Sequence, residues 1–257
     1  MEKTTIVEKF EVKLKNPILI EGFPGLGMVG RIATSYLAKK LNAQKFAVLY
    51  SPHFPYYVIV NNKGSIRLLR GVFSFWKNTS GGNDIIFLTG DSQAQTIEGQ
   101  YEIANCILDF AKKHDVKLVI TLGGYRKETE ETPKVVAAAT HHKILERAVK
   151  ADAIVSPAGN PIVGTAGLLI GLARFRKMDA LCLLSETRGY LPDPKAAKSI
   201  LYVLQKLLDL NVDMGDLEKE IEKSEKIIEK MRQIEKRRQM RMEKMRKTEE
   251  ERITYIS

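Results

Sequence analysis

The chain has 257 residues, 44% of them hydrophobic, with 41 Lys and Arg against 31 Asp and Glu, a formal net charge of +10. That length holds one sizeable domain with an appendage, and the composition is that of an ordinary globular protein. It excludes a disulfide scaffold, since the only cysteines are Cys106 and Cys182, each in an apolar run, and it excludes a membrane span, since no uncharged apolar segment is long enough.

The first residues, Met1-Glu-Lys-Thr-Thr-Ile, carry no apolar signal core, so a cytoplasmic setting is expected. Ile18–Phe23 reads as a buried strand and Ile32–Leu41 as a helix. Phe46–Tyr50 is a second strand. Tyr57–Val60 and Ser65–Arg70 flank Asn61-Asn-Lys-Gly64 and read as a hairpin extending one part of the sheet. Asp84–Thr89 is a further strand. A helix follows, with Ile97, Tyr101, Ala104, Leu108 and Ala111 predicted as its inward face. Leu118–Leu122 is a strand ended by Gly123-Gly124. Val135–Thr140 and Ala153–Val155 read as strands and Gly164–Arg174 as an apolar helix. Ala180–Leu184 is the last core strand, and Ala196–Leu210 an amphipathic helix. Continuous apolar strands alternating with helices predict a three-layer α/β/α body over residues 1–211, with a mixed, mostly parallel sheet.

Beyond Asn211 there is no proline, and Gly215 is the only glycine. Leu217, Ile221, Ile228 and Met231 recur near every three and a half residues, with Ser224 in register. Glu235 and Arg238 then fall on the seam, so the heptad falters. Residues 212–252 are predicted as a charged, coiled-coil-like helical tail, a rod on the order of 60 Å at about 1.5 Å per residue. Its apolar area is too small to hold it alone, so its first half is expected to pack on another copy or a partner. Residues 253–257 form a separate tip. From Asp213 to Ser257 there are 13 basic and 12 acidic residues, which leaves +9 on the remainder. No long block of like charge and no nucleic-acid motif stands out, so a solvated basic surface with no nucleic-acid partner is expected.

The stretch Glu21–Arg31, EGFPGLGMVGR, contains Gly25-Leu-Gly-Met-Val-Gly30, which fits the G-x-G-x-x-G pattern of dinucleotide-binding folds. A strand precedes it and a helix follows. The acidic residue that would hold the ribose is missing: the next strand ends Leu49-Tyr-Ser-Pro-His-Phe-Pro55. Gly22, Pro24, Gly25, Gly27 and Gly30 are therefore read as a structural strand-to-helix turn, with no cofactor. The four histidines lack metal-ligand spacing, so no metal is expected. Asp91, Tyr125 and Glu186 follow predicted strands at the edge where α/β sheets place ligands, and they are the residual candidates for chemistry. They support the alternative reading: an enzyme or binding protein for a nucleoside, a phosphorylated metabolite or a carboxylate.

Glu21–Gly30 resembles the opening signature of the archaeal proteasome assembly chaperone family, homologous to the second eukaryotic assembly chaperone. Thr121-Leu-Gly-Gly-Tyr125, Gly164-Thr-Ala-Gly-Leu-Leu-Ile-Gly171 and Ser185-Glu-Thr-Arg-Gly-Tyr-Leu-Pro-Asp-Pro194 are similar to later stretches of it. The resemblance implies a phosphorylase-like α/β/α body that self-associates, is not an enzyme, and binds proteasome α subunits. Partners of proteasomes often end in a hydrophobic residue, a tyrosine and one last residue. This chain ends Ile253-Thr254-Tyr255-Ile256-Ser257, with tyrosine third from the end, a variant of that pattern. The resemblance thus implies that these five residues dock on the α ring.

Overall fold

The apolar runs assemble into one nine-stranded sheet in the computed structural model, which describes residues 1–127 and 132–226. In chain order the strands are β1 (Thr5–Glu8), β2 (Ile18–Gly22), β3 (Gln44–Tyr50), β4 (Val58–Val60), β5 (Ile66–Leu68) and β6 (Gly71–Trp76). They continue with β7 (Ile85–Gly90), β8 (Leu118–Arg126), β9 (Val135–Ala139), β10 (Ile154–Val155) and β11 (Ala180–Thr187). The helices are α1 (Val29–Lys40), α2 (Ile97–Lys113), α3 (His142–Lys150), α4 (Gly164–Phe175) and α5 (Pro194–Leu208). The sheet order is β1-β3-β6-β7-β2-β8-β11-β9-β10. Its centre, β7-β2-β8-β11, is parallel. Antiparallel β6 on one side and β9 on the other make the sheet mixed.

The period of two along each strand sorts the core into two layers. Leu19, Ile86, Leu88, Val119 and Ala180 join Ile103, Ile107, Leu169 and Ala173 in one cluster, which places α2 and α4 on that face. Helices α1 and α5 pack together on the other face, and α3 lies against β9 and α5. Strands covered on both faces must be apolar on both, which is why β2 is buried along its whole length. The result is the expected mixed α/β/α body.

Five local readings change. The hairpin β4–β5 does not extend the main sheet; it forms a separate two-stranded sheet. Strands β1 and β6 and helix α3 were not anticipated. The inward face of α2 is also rotated: Ile97 is 75% and Tyr101 48% exposed, while Gly99, Ile103 and Ile107 join Ala104, Leu108 and Ala111 inside. Gly99 is required by this arrangement, because a Cβ there would meet His53 Cβ at 2.3 Å; a residue without a side chain lets the first turn approach.

A further helical segment, 215–226, carries Leu217 and Ile221 four residues apart. Ile228, Met231 and residues 253–257 lie outside the described residues, as does most of the predicted tail. Among the described residues no helix is long and apolar enough to cross a membrane.

Candidate functional site

The four sequence stretches meet, and they meet at the carboxyl edge of the parallel strands. The chain leaves β2 through Phe23-Pro-Gly25, makes a short 3-10 turn at Leu26–Met28 and enters α1. Gly27 has φ +61°, and Met28 follows at φ +52° in the same left-handed region, an uncommon conformation for a side-chain-bearing residue. A Cβ on Gly22 would meet the Gly30 carbonyl oxygen at 2.2 Å, and one on Gly30 would meet the Leu122 carbonyl oxygen at 2.1 Å. These two glycines let α1 lie directly on β2 and β8. Gly25 is different: its backbone is extended, and a Cβ would meet nothing closer than 3.7 Å.

The loop's polar groups are used within the protein. The Gly27 N–H donates to the Gly189 carbonyl, the Met28 N–H to Gly25, and the Gly27 carbonyl accepts from the Asp193 N–H. The Pro24 carbonyl accepts from Gln93 Nε2 at 2.8 Å. A phosphate cradle needs several amides aimed outward; here the 27 and 28 amides point into the loop after β11 and back into the turn. From that loop, Asp193 Oδ1 caps α5 by accepting from the Ala196 N–H at 2.9 Å, and Oδ2 accepts from Thr187 Oγ1 at 2.7 Å. Gly124 lies under Leu26 and Thr187, where a Cβ would meet both at 2.7 Å. Thr165, at the start of α4, donates from its N–H to Gln93 Oε1 at 3.1 Å and from Oγ1 to Gln100 Oε1 at 2.9 Å.

The three residual candidates for chemistry also have structural partners. Asp91 takes the Arg67 guanidinium through both oxygens, at 2.5 and 3.0 Å, and the Arg70 N–H at 3.0 Å. Burial pushes its pKa up, but the Arg67 and Arg70 bonds outweigh it and hold the carboxyl below its usual range. Glu186, also buried, accepts from Lys127 Nζ at 2.6 Å, the Lys134 N–H at 3.0 Å and Tyr125 Oη at 3.1 Å. Those bonds overcome its burial and lower its pKa, while burial and then Glu186 raise Tyr125 to about 12. Burial lifts the Cys106 thiol to about 11 and the Cys182 thiol to about 12, so neither is a thiolate at neutral pH. Among the described residues no group of three or more His, Cys, Asp and Glu is placed to hold a metal ion.

Sequence reasoning passed over Glu21. It sits on β2, 1% exposed, beside Thr121 of β8, which pairs in register with Cys182 of β11. Its Oε1 accepts from the Phe23 N–H at 2.9 Å, and its Oε2 has no partner. Burial raises its pKa to about 8, against the Phe23 bond. The one signal was a carboxylate inside the apolar run Ile18-Leu-Ile-Glu-Gly.

The fold and this interlocked edge define an α/β/α protein whose shared motifs build scaffold. The PAC2 family matches residues 19–232, and the chain belongs to that family. It is similar to an uncharacterized protein of Methanocaldococcus jannaschii, 34% identical over 245 residues, 95% of this chain and 93% of the relative. Among solved structures, Pyrococcus furiosus PbaB, an archaeal proteasome activator, is 37% identical with a TM-score of 0.86, over 90% of this chain and 100% of that one. P. furiosus PbaA, an archaeal homolog of proteasome-assembly chaperone, is 29% identical with a TM-score of 0.75, over 96% of this chain and 99% of that one.

Proposed function

We propose that this chain is a non-enzymatic, cytoplasmic proteasome-binding protein that assembles with copies of itself and engages the α ring through its C-terminal tails. The likeness to PbaB along 90% of the chain carries this reading. The commitment of Asp91, Tyr125 and Glu186 to structural partners supports it over the enzyme alternative. In this reading residues 1–211 are the self-associating body, and residues 212–252 are a helical stalk that packs through Leu217, Ile221, Ile228 and Met231. Residues 253–257 are the docking tip. Several tips on one assembly raise the effective concentration of each at its pocket, so short contacts suffice.

Capture of recombinant α rings by the full chain and by a chain lacking residues 253–257 tests the docking. The truncated chain is expected to lose at least tenfold in affinity; equal capture refutes tail docking. Hydrolysis of a small fluorogenic peptide by the finished proteasome then separates the two roles. A rise on adding the full chain marks an activator, and no rise with retained α-ring capture marks an assembly chaperone.

A further inference from the structure

The β4–β5 hairpin inverts the usual arrangement of a small surface sheet. Its register pairs Val58 with Leu68, Ile59 with Arg67 and Val60 with Ile66. Directly opposed residues share a face, so Val58, Val60, Ile66 and Leu68 lie together and Ile59 and Arg67 lie behind them. The back face is anchored: Ile59 packs on the core cluster, and Arg67 is clamped by both oxygens of Asp91. The front face is apolar and turned to solvent, with Val58 45%, Val60 61%, Ile66 69% and Leu68 51% exposed. An antiparallel ribbon with one solvated face ordinarily makes that face polar.

Beside this face runs an open groove of about 660 Å³. Its wall includes Pro52, Phe54, Pro55, Tyr57, Val58 and Leu68; its lining side chains are uncharged, and Met1 brings the chain's α-amino group to it. Tyr56 stands at its rim with its side chain wholly in solvent, 100% exposed, and Tyr57 is 58% exposed. Together the four aliphatic and two tyrosine side chains offer on the order of 700 Å², above the roughly 300–600 Å² of the largest patch on a typical monomer and near the ~800 Å² each partner gives a stable interface.

We infer that this hairpin face is a two-fold interface between copies of this chain, with Tyr56 of each copy seated in the groove of the other. Knob and groove occupy one patch, the condition for an isologous contact that closes on itself. Charge is compatible with this. A chain of net +10 repels its own copies, which favours contact through a patch poor in charge, and the Met1 α-ammonium is the one formal charge among the groove-lining residues. The Asp91 clamp gives the face a fixed shape, so little ordering is lost on pairing.

The inference rests on the reading that the body self-associates and names the surface. The test is the mass of the full chain in solution, by light scattering at tens of micromolar, for the wild type and for Ile66→Glu, Tyr56→Glu and Phe175→Glu. Phe175 is an exposed aromatic outside the patch, 91% exposed. Ile66→Glu and Tyr56→Glu are expected to halve the mass or reduce it further, and Phe175→Glu to leave it unchanged. An unchanged unfolding midpoint checks that the variants fold; Tyr56→Ser decides should a glutamate variant fail that check. An oligomeric wild type with unaltered hairpin variants overturns this face while self-association stands. A monomeric wild type overturns both. Hairpin variants that keep their mass but lose α-ring capture also overturn it and assign the face to that partner.

Discussion

Glu21 makes the stability of this protein depend on pH in an unusual direction. Its pKa is raised from 4.5 to about 8 in the folded chain. Between those values the folded state keeps a proton that the unfolded state has lost. The associated stability is therefore complete below 4.5 and falls as pH rises, by up to ~1.4 kcal/mol per pH unit, until the folded carboxyl ionises. Asp91, Glu102 and Glu186 have lowered pKa values and act the opposite way, but only below the ordinary carboxylate range. His114, whose pKa burial lowers, opposes Glu21 within this window, because it adds stability as pH rises through the ordinary histidine range. Between pH 5.5 and 8 the urea midpoint of the wild type should therefore fall relative to that of Glu21→Gln; equal changes in the two chains would reject the assignment. The glycines separate just as sharply. Gly30→Ala puts a Cβ 2.1 Å from a backbone oxygen and is expected to cost more than ~2 kcal/mol in thermal unfolding. Gly25→Ala would make only an ordinary van der Waals contact, 3.7 Å to Gln93 Nε2, on an extended backbone and should fall within ~0.5 kcal/mol of wild type.

At the scale of elements, α5 depends on one residue before it. Asp193 caps its amide end and ties Thr187 to the same carboxylate, while Pro194 opens the helix. Asp193→Ala is expected to cost about 1–2 kcal/mol, and Asp193→Asn to recover part of it by keeping the capping oxygen, read as unfolding midpoints. Elements also show where the sequence was legible. Strands β2, β7, β8 and β11 are continuous apolar runs because helices cover both their faces. Strand β1 was not legible: Thr5-Ile-Val-Glu8 is an edge strand, half-exposed on alternate residues among charges, and pairing with β3 creates it. Strand β6 begins three residues after β5, so the two apolar runs merge in sequence, and only pairing with β3 and β7 divides them. Helix α3 was legible but passed over: Ile144, Leu145, Ala148 and Val149 recur at helical spacing, and Ile144 and Ala148 are buried.

At the scale of the whole molecule, the edge of the sheet that a fold of this class offers to ligands is filled by its own loops. Glu21–Arg31, Thr121–Tyr125, Gly164–Gly171 and Ser185–Pro194 occupy it with glycine contacts, caps and amide bonds to one another. In the proposed reading, binding is the work of the hairpin face and of residues 253–257. Removing residues 253–257 should accordingly leave the body's unfolding midpoint unchanged while α-ring capture falls, a pairing of results that separates docking from folding.

By itself the sequence determined the α/β class, the order of its main strands and helices, the absence of a ribose-binding acid after β3, and the set of motifs that marks the family. These are local properties, written in apolar runs, helical spacing and glycine turns. Tertiary structure alone decided that Gly22 and Gly30 serve a helix-on-sheet contact while Gly25 does not. It also decided that Asp91 and Glu186 are held by cations, that Glu21 lies in the core where burial raises its pKa, and that the hairpin leaves the main sheet with an apolar face toward solvent. Each depends on which distant atoms lie within a few ångströms, and neither periodicity nor composition encodes that distance.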